Sequence, residues 1–552
     1  MWSKALFAQL WCSLVLLVFC VFWNGRWGAS GPSQILVCAV GLAWIAKVAG
    51  VFGTLARGRV LALWAGLAAG VIMAMIAWNT QSLVIEGQRY WWLMDDAMVS
   101  MRYAKNLSHG LGLVWNQGER VEGYSNLLWT LGMGLPHWAG LKDAQASLPI
   151  LAFACTSLLW LALATWRLAK ALRLDDWAAS LAACLVVLSC DSIGVARTGL
   201  ESVVVTCLFC EALAAVWARE KRVVAAACVL LALLRFDGLL YVALAGLVAL
   251  FSGEKKSVIA GLLLPALGAW LLVELWRRTY YGEWVPNTVL LKGAYWVGRF
   301  RSGAGYLRSF FIDHYPGMSL ALPLGLWTLQ GSLRLRAAIL LPVVGVAAYA
   351  FWIGGDFMPD LRFLLPALPA LAVLAAAAGA WLLQKSGRSV AVAAMLAVSF
   401  WTASPVYLFP AALDPSLDNS PARIRAVLQL RKRAPANAIL ATAWAGLMPY
   451  LWNGPAIDLL GKCDAQIART APHTEQAMVG HNKWDYPGSM ARHPDFVHVQ
   501  LPADLQDLPY YNQRLIEDPS FRRACRPQLV FKEAETFIFW CDWVGIKKGA
   551  PR

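Results

Sequence analysis

Apolar runs follow one another along most of this chain, separated by short loops that carry basic residues, and this constrains its fold more than anything else. A helix of about 20 apolar residues spans a bilayer, and only helices or closed barrels satisfy their backbone polar groups there. Runs at 5–23, 34–51, 59–78, 146–166, 177–193, 201–217, 223–234, 238–251, 257–275, 317–330, 336–353, 361–382 and 389–409 predict about thirteen transmembrane helices. The chain is accordingly a polytopic α-helical membrane protein. Its 552 residues are 59% hydrophobic and 15% charged, against roughly 45–50% and 25% in soluble domains. Its 29 tryptophans suit a chain with many positions at headgroup level.

The basic residues set the orientation. Lys4, Arg57/Arg59, Arg167/Lys170/Arg173, Arg219/Lys221/Arg222, Lys255/Lys256, Arg334/Arg336 and Lys385/Arg388 fall at alternate loops. By the positive-inside rule these loops are cytoplasmic. The net charge of +15 therefore needs no nucleic-acid partner. Residues 127–141 are apolar but short and contain Pro136 and His137, so they are expected to lie in the interface. If they crossed, the later basic loops would all face outward. This arrangement puts a domain of transmembrane helices at 1–411, with large outer loops at 79–145 and 277–315. From about 412 Pro, Asp, Asn, Arg and His increase and no run can span. Residues 412–552 are expected to form a soluble, extracytoplasmic, mixed α/β C-terminal domain. No C-x-x-C pair recurs among the 12 cysteines, which argues against a zinc site. A Cys525–Cys541 disulfide is expected if that region faces an oxidising compartment.

The chemistry points first to Asp95 and Asp96, which follow the hydrophobic Trp91–Met94 segment where a span meets water. Residues 97–107 have helical periodicity, so one aspartate can be a helix cap. Capping does not require the second, nor Arg102 farther along the helix. A carboxylate is also what takes a proton from an acceptor hydroxyl, and a neighbour can raise its pKa or help hold a cation. Asp95, first in the pair, is expected to be the base and Asp96 its partner. Glu122, Tyr124 and Asn126 lie in a polar loop that reads either as a solvated turn or as a sugar-binding edge. Glu201 lies at an outer boundary, while Arg235 and Asp237 interrupt an apolar stretch. Ionisable groups at that depth pair with each other or face a cavity. Asn287 precedes Lys292 in a second outer loop, and Asp356 and Arg362 end a span. A single Lys or Arg in such a place can simply snorkel. Two from separate loops on one face can clamp a phosphate. Asp458–Asp464, which includes Lys462, and Gly480–Lys483, which includes His481, are polar clusters in the C-terminal region, without metal-ligand spacing, able to reach over the membrane face.

Taken in order, several motifs resemble the GT-C membrane arabinofuranosyltransferases. They are Asp95-Asp96-Ala97, Glu122-Gly123-Tyr124-Ser125-Asn126, Gly199-Leu200-Glu201, Arg235-Phe236-Asp237-Gly238, Pro286-Asn287-Thr288 with Lys292, and Gly355-Asp356-Phe357 with Arg362-Phe363-Leu364-Leu365-Pro366. Leu460-Gly461 with Asp464, and Gly480-His481 with Lys483, complete the series. That group includes the mycobacterial terminal β-arabinofuranosyltransferases and the pilin-modifying arabinosyltransferases of Gram-negative bacteria. The resemblance implies a polyprenyl-phosphate sugar donor and a glycan or pilin-like protein acceptor. It also implies a bacterial inner membrane location with the site on the periplasmic side. Asp95 or Asp96 would be the base, Lys292 and Arg362 would meet the donor phosphate, with Arg235 lining the donor site, and His481 would belong to a C-terminal lid. No cofactor is required, although a divalent ion such as Mg²⁺ or Mn²⁺ could assist. The extra spans before Asp95 and the reading Leu460-Gly461-Lys462-Cys463-Asp464 depart from the common pattern and leave sugar and acceptor open. The alternatives are a transferase for another lipid-linked sugar, such as mannose or aminoarabinose, and a transporter or flippase. No matched pair of interrupted helices favours the transporter.

Overall fold

The computed structural model describes residues 54–293, 297–329, 332–386, 419–435, 437–473, 480–500, 510–531 and 536–543. The expected crossings at 5–23, 34–51 and 389–409 lie outside the described residues. Among the described residues five helices are long and apolar enough to cross a bilayer, or six if one bent pair is a single span. They are Arg59–Thr80, Ser147–Ala171, Lys256–Tyr281, Leu333–Ile353 and Leu365–Leu382. The bent pair, Asp176–Val187 with Cys190–Arg197, turns by 48°. The break follows from Ser189, whose hydroxyl caps the second helix by accepting from the Ser192 amide. Four further apolar runs form helices too short for that test: Ser202–Ala218, Lys221–Leu234, Gly238–Phe251 and Pro316–Thr328.

Small residues let these helices approach closely. The helix Thr54–Thr80 crosses Ser147–Ala171 at Gly66 and Gly70, one turn apart. A Cβ on Gly66 would sit 2.7 Å from the Leu159 backbone. In a bilayer such contacts associate helices through packing, since lipid supplies little hydrophobic drive between them. The lipid-facing side is plain on Lys256–Tyr281, where Leu264, Leu267, Leu271, Leu272 and Leu275 are all exposed.

The outer segments carry more structure than loops. A hairpin of β1 (Ser82–Ile85) and β2 (Gln88–Trp91) leads into the helix Asp95–Ser108. Residues 127–141 fold as two short helices, Leu127–Gly132 and Leu135–Trp138, neither long enough to cross. Residues 277–315, expected as a polar loop, hold the end of one long helix, the helices Asn287–Gly293 and Val297–Arg308, and a π-helical turn, Ser309–His314. Their helical character was hidden because no apolar stripe of spanning length marks them.

Beyond residue 419 the chain builds a five-stranded sheet, with β3 (Leu440–Thr442), β4 (Ala456–Asp458), β5 (Phe496–Gln500), β6 (Cys525–Phe531) and β7 (Thr536–Cys541). The order is β4-β3-β5-β7-β6. β3 is parallel to both β4 and β5, whereas β7 is antiparallel to β5 and β6. Cys525 and Cys541 pair in register across β6 and β7 and are joined by a disulfide. The loops leaving the carboxyl ends of β3 and β4 reach the start of the helix Asp95–Ser108. That edge is where open α/β sheets generally receive ligands.

Candidate active site

The two aspartates open the helix Asp95–Ser108, with Met94 as its N-cap and no side chain capping it. Neither carboxylate is spent on its own helix. Asp95 accepts from the amides of Gly446 and Leu447, at 3.1 and 2.9 Å, in the loop after β3. A Cβ on Gly446 would lie 1.9 Å from the Asp95 carbonyl oxygen, so only glycine allows this approach. Burial raises the Asp95 pKa above the ordinary carboxylate value, against the opposing pull of Arg423, Lys462 and the Leu447 amide. Desolvation disfavours the charged form, which makes a stronger base of the ionised group.

Asp96 points to a different set of partners. Its carboxylate is ion-paired with Lys462, in the loop after β4, and lies 3.8 Å from the Arg362 guanidinium. Burial opposes ionisation here too, but Lys462, Arg362 and Lys292 together hold its pKa well below the carboxylate range. Arg362 also pairs with Asp356. Lys292 feels Asp356 and Asp96 as favourable charges and Arg362 and Lys462 as unfavourable ones, while burial pulls its pKa down. Three cations thus meet two carboxylates around one point.

Lys462 was not among the expected site residues. The loop that presents it is built by two others. Asn287 is buried and donates to the carbonyls of Gly461, Lys462 and Asp464 at 2.8, 3.0 and 3.2 Å. Asp458 accepts from the amides of Leu460 and Cys463, and burial pushes its pKa up to about 6. Asn287 therefore acts on the site through Lys462. The signal was in the sequence, a Gly-Lys between two aspartates, but its target lies 366 residues away.

Other expected site residues are held by partners in the surrounding structure. Arg102 donates to the carbonyls of Trp115, Gly454 and Pro449 and to the Asn116 side chain, and so fastens the C-terminal domain to the outer segments. Glu122 is buried in an ion pair with Arg277 at 2.6 Å, and burial pushes its pKa up to about 7. Arg277 also holds Glu274. Tyr124 meets the Tyr281 hydroxyl at 3.1 Å. Arg235 is taken up by Glu201 and Asp237, and is not a spare cation for a phosphate. Asn126 joins that group, donating to Glu201 at 2.6 Å and accepting from Ser100. Lys483 donates to the carbonyls of Ala468 and Leu290. His481 packs edge-on against Phe357, 5.4 Å between ring centroids, beside the Asp356 turn.

The fold is a polytopic helical membrane architecture shared with ArnT. ArnT from Cupriavidus metallidurans bound to undecaprenyl phosphate superposes with a TM-score of 0.51 at 14% identity, over 88% of this chain and 98% of that one. In sequence, the chain is similar to the terminal beta-(1->2)-arabinofuranosyltransferase of Corynebacterium glutamicum, 27% identical over 408 residues, covering 61% of this chain and 51% of the relative. It is likewise 27% identical over 325 residues to the enzyme of that name from Mycobacterium tuberculosis, covering 50% of this chain and 51% of the relative. The chain spans about half the length of these curated relatives. A domain of unknown function (DUF8728) matches residues 418–535.

Proposed function

We propose that the chain transfers an arabinofuranosyl unit from a polyprenyl-phosphate donor to a hydroxyl of a glycan or protein acceptor. The observation that carries this reading is the convergence of three cations, Lys292, Arg362 and Lys462, on Asp96 beside Asp95 at the membrane's edge. The ArnT fold, in a structure holding undecaprenyl phosphate, and the arabinofuranosyltransferase relatives support the donor class. In the reaction, Asp95 takes the proton of the acceptor hydroxyl as its oxygen bonds to the sugar C1. The bond from C1 to the phosphate oxygen breaks, and its electron pair leaves on the polyprenyl phosphate. The three cations meet that charge, and Asp96 holds Lys462 and Arg362 in place until the phosphate arrives. Charge stabilisation and positioning of this kind supply much of the rate in such transfers.

A divalent ion fits this pair poorly. Asp95 turns to two backbone amides and Asp96 to an ammonium, so the two do not converge on one point. We therefore read the transfer as metal-independent. The test is a transfer assay with synthetic polyprenyl-phosphoryl arabinofuranose beside the mannosyl and aminoarabinosyl analogues, with and without EDTA. Arabinofuranosyl transfer unchanged by EDTA is expected. Preference for another lipid sugar would overturn the donor, and loss of rate with EDTA would overturn the metal reading.

We place the site and the C-terminal domain on the extracytoplasmic side of a bacterial inner membrane. The basic loops and the Cys525–Cys541 disulfide support this side. A reporter fused at residue 255 should read cytoplasmic, and a periplasmic reading would reverse the orientation.

A further inference from the structure

Two strands of the C-terminal sheet end beside Asp95 with polar groups that the donor side does not use. Thr442 closes β3, and His498 and Gln500 lie near the end of β5 on the same face, Thr442 being in register with His498. Arg423, on the helix Ser420–Arg433, covers this face. Its guanidinium lies 3.7 Å above the Trp444 ring and donates to Gln500 at 3.0 Å. Trp444 is two residues before Gly446, whose amide holds Asp95.

Two polar atoms here are buried without a partner among the described residues: the His498 Nε2 and the Trp444 Nε1. His498 is only 1% exposed. Its Nδ1 is engaged by the Thr442 hydroxyl at 3.1 Å, which in turn accepts from the Trp444 amide. A polar group buried without a partner is costly. Two such groups on residues that both meet Thr442, with Trp444 two residues from the amide that holds Asp95, mark a place for a ligand with hydroxyls of its own.

The charges divide the site in the same way. Among its neighbours, Asp95 is drawn to Arg423 first and Lys462 second, whereas Asp96 feels Lys462, Arg362 and Lys292. Lys462 thus sits between two halves. The Asp96 half has spare positive charge. In the Asp95 half a single guanidinium faces a single carboxylate, and His498 is held neutral, its pKa pushed down to about 3 by burial and by Arg423.

We propose that the acceptor binds at the carboxyl edge of β3 and β5, and that it is a neutral saccharide whose hydroxyls meet Trp444 Nε1 and His498 Nε2 beside Arg423 and Gln500. This rests on the transfer reaction proposed above. It goes further by choosing a glycan over a protein acceptor and by giving that glycan its own residues. An anionic acceptor would instead compete for the cations around Asp96.

The test uses the full chain in nanodiscs with a neutral arabinofuranosyl oligosaccharide as probe. Trp444→Phe keeps an aromatic ring beneath Arg423 and removes the indole N–H together with the fused ring. It should raise the acceptor KM roughly tenfold, as expected for one lost hydrogen bond, and leave the donor KM where it was. His498→Ala should act in the same direction. Saturation-transfer NMR of the probe on wild type and Trp444→Phe, without donor, reads the subsite independently of any transfer. Signal on wild type that weakens in the variant supports the subsite even if the donor proves to be another sugar. An unchanged acceptor KM, a shift in donor KM instead, or no probe signal on wild type would overturn it.

Discussion

The cluster around Asp96 and the buried network around Arg277 are made from the same residue types, yet they are balanced in opposite senses. Around Arg277 one guanidinium serves Glu122 and Glu274, and around Arg235 one serves Glu201 and Asp237. Around Asp96, Lys292, Arg362 and Lys462 share Asp96 and Asp356. A charge buried without full compensation is costly. Acid in excess can neutralise itself by taking up a proton, as the raised Glu122 pKa shows. Arg362 has no such escape, while burial already pulls the Lys292 pKa down, and an anion from outside lets all three cations keep their charge. The direction of the imbalance, more than the presence of ion pairs, separates scaffold from site.

The largest effect expected from this contrast is on the base. Asp95→Asn keeps the shape and an oxygen for one amide but removes the proton acceptor. Turnover should fall by about 10²–10⁴-fold, with polyprenyl-phosphate binding retained; near-normal turnover would show that Asp95 is only a structural tie. Next comes the scaffold. Arg277→Met leaves two carboxylates without their cation, and breaking such a buried pair costs about 3–5 kcal/mol. Thermal unfolding in detergent should show a large loss of stability, and an unchanged midpoint would refute the contrast from that side. Lys462→Gln should do the reverse, with a weakening of donor binding worth about 1.5–3 kcal/mol and little change in unfolding. Equal loss of stability in Lys462→Gln and Arg277→Met would erase the distinction.

The smallest effect is a shift in pH dependence. Asp95 must be ionised to act, and its pKa is raised, so the rate should fall on the acid side at a pH above the ordinary carboxylate value of about 4. Asp96 contributes to that rise, and Lys462 opposes it. Asp96→Asn removes the like charge and leaves Lys462 to Asp95 alone. The acid limb should therefore move to lower pH. A limb that stays in place would mean that another group sets it.

Part of this site could be read from the sequence and part could not. Asp95 and Asp96 were legible because two carboxylates at the edge of a span exceed what a helix cap needs. Lys292 and Arg362 were legible because two outer loops each offered a cation. Lys462 was legible only as part of a polar stretch, and not as a partner of Asp96, because only the fold of the C-terminal sheet brings its loop there. Glu122 and Tyr124 read as a solvated turn or a sugar-binding edge because their partners, Arg277 and Tyr281, sit 155 and 157 residues away. A signal did exist: Glu274 and Arg277 lie one turn apart inside a long apolar helix, and charges there demand partners. The close crossing at Gly66 and Gly70 was equally visible, as two glycines four residues apart in an apolar run. The four shorter helices show the limit of counting runs, since their 13 to 17 residues leave open how each one meets the bilayer.

The tie between Asp95 and the amides of Gly446 and Leu447 has a consequence for the order of synthesis. The base is made early and its anchor some 350 residues later. Until that anchor emerges and folds, Asp95 lacks the burial that makes it basic, and Asp96 lacks Lys462. Under the transfer reaction proposed above, a nascent chain is therefore inert toward the lipid donor. It becomes competent only when the sheet that carries Gly446 and Lys462 closes over the aspartates. Arrested chains ending before residue 446 should neither transfer nor hydrolyse the donor, and activity in them would show that the site is complete without its cover.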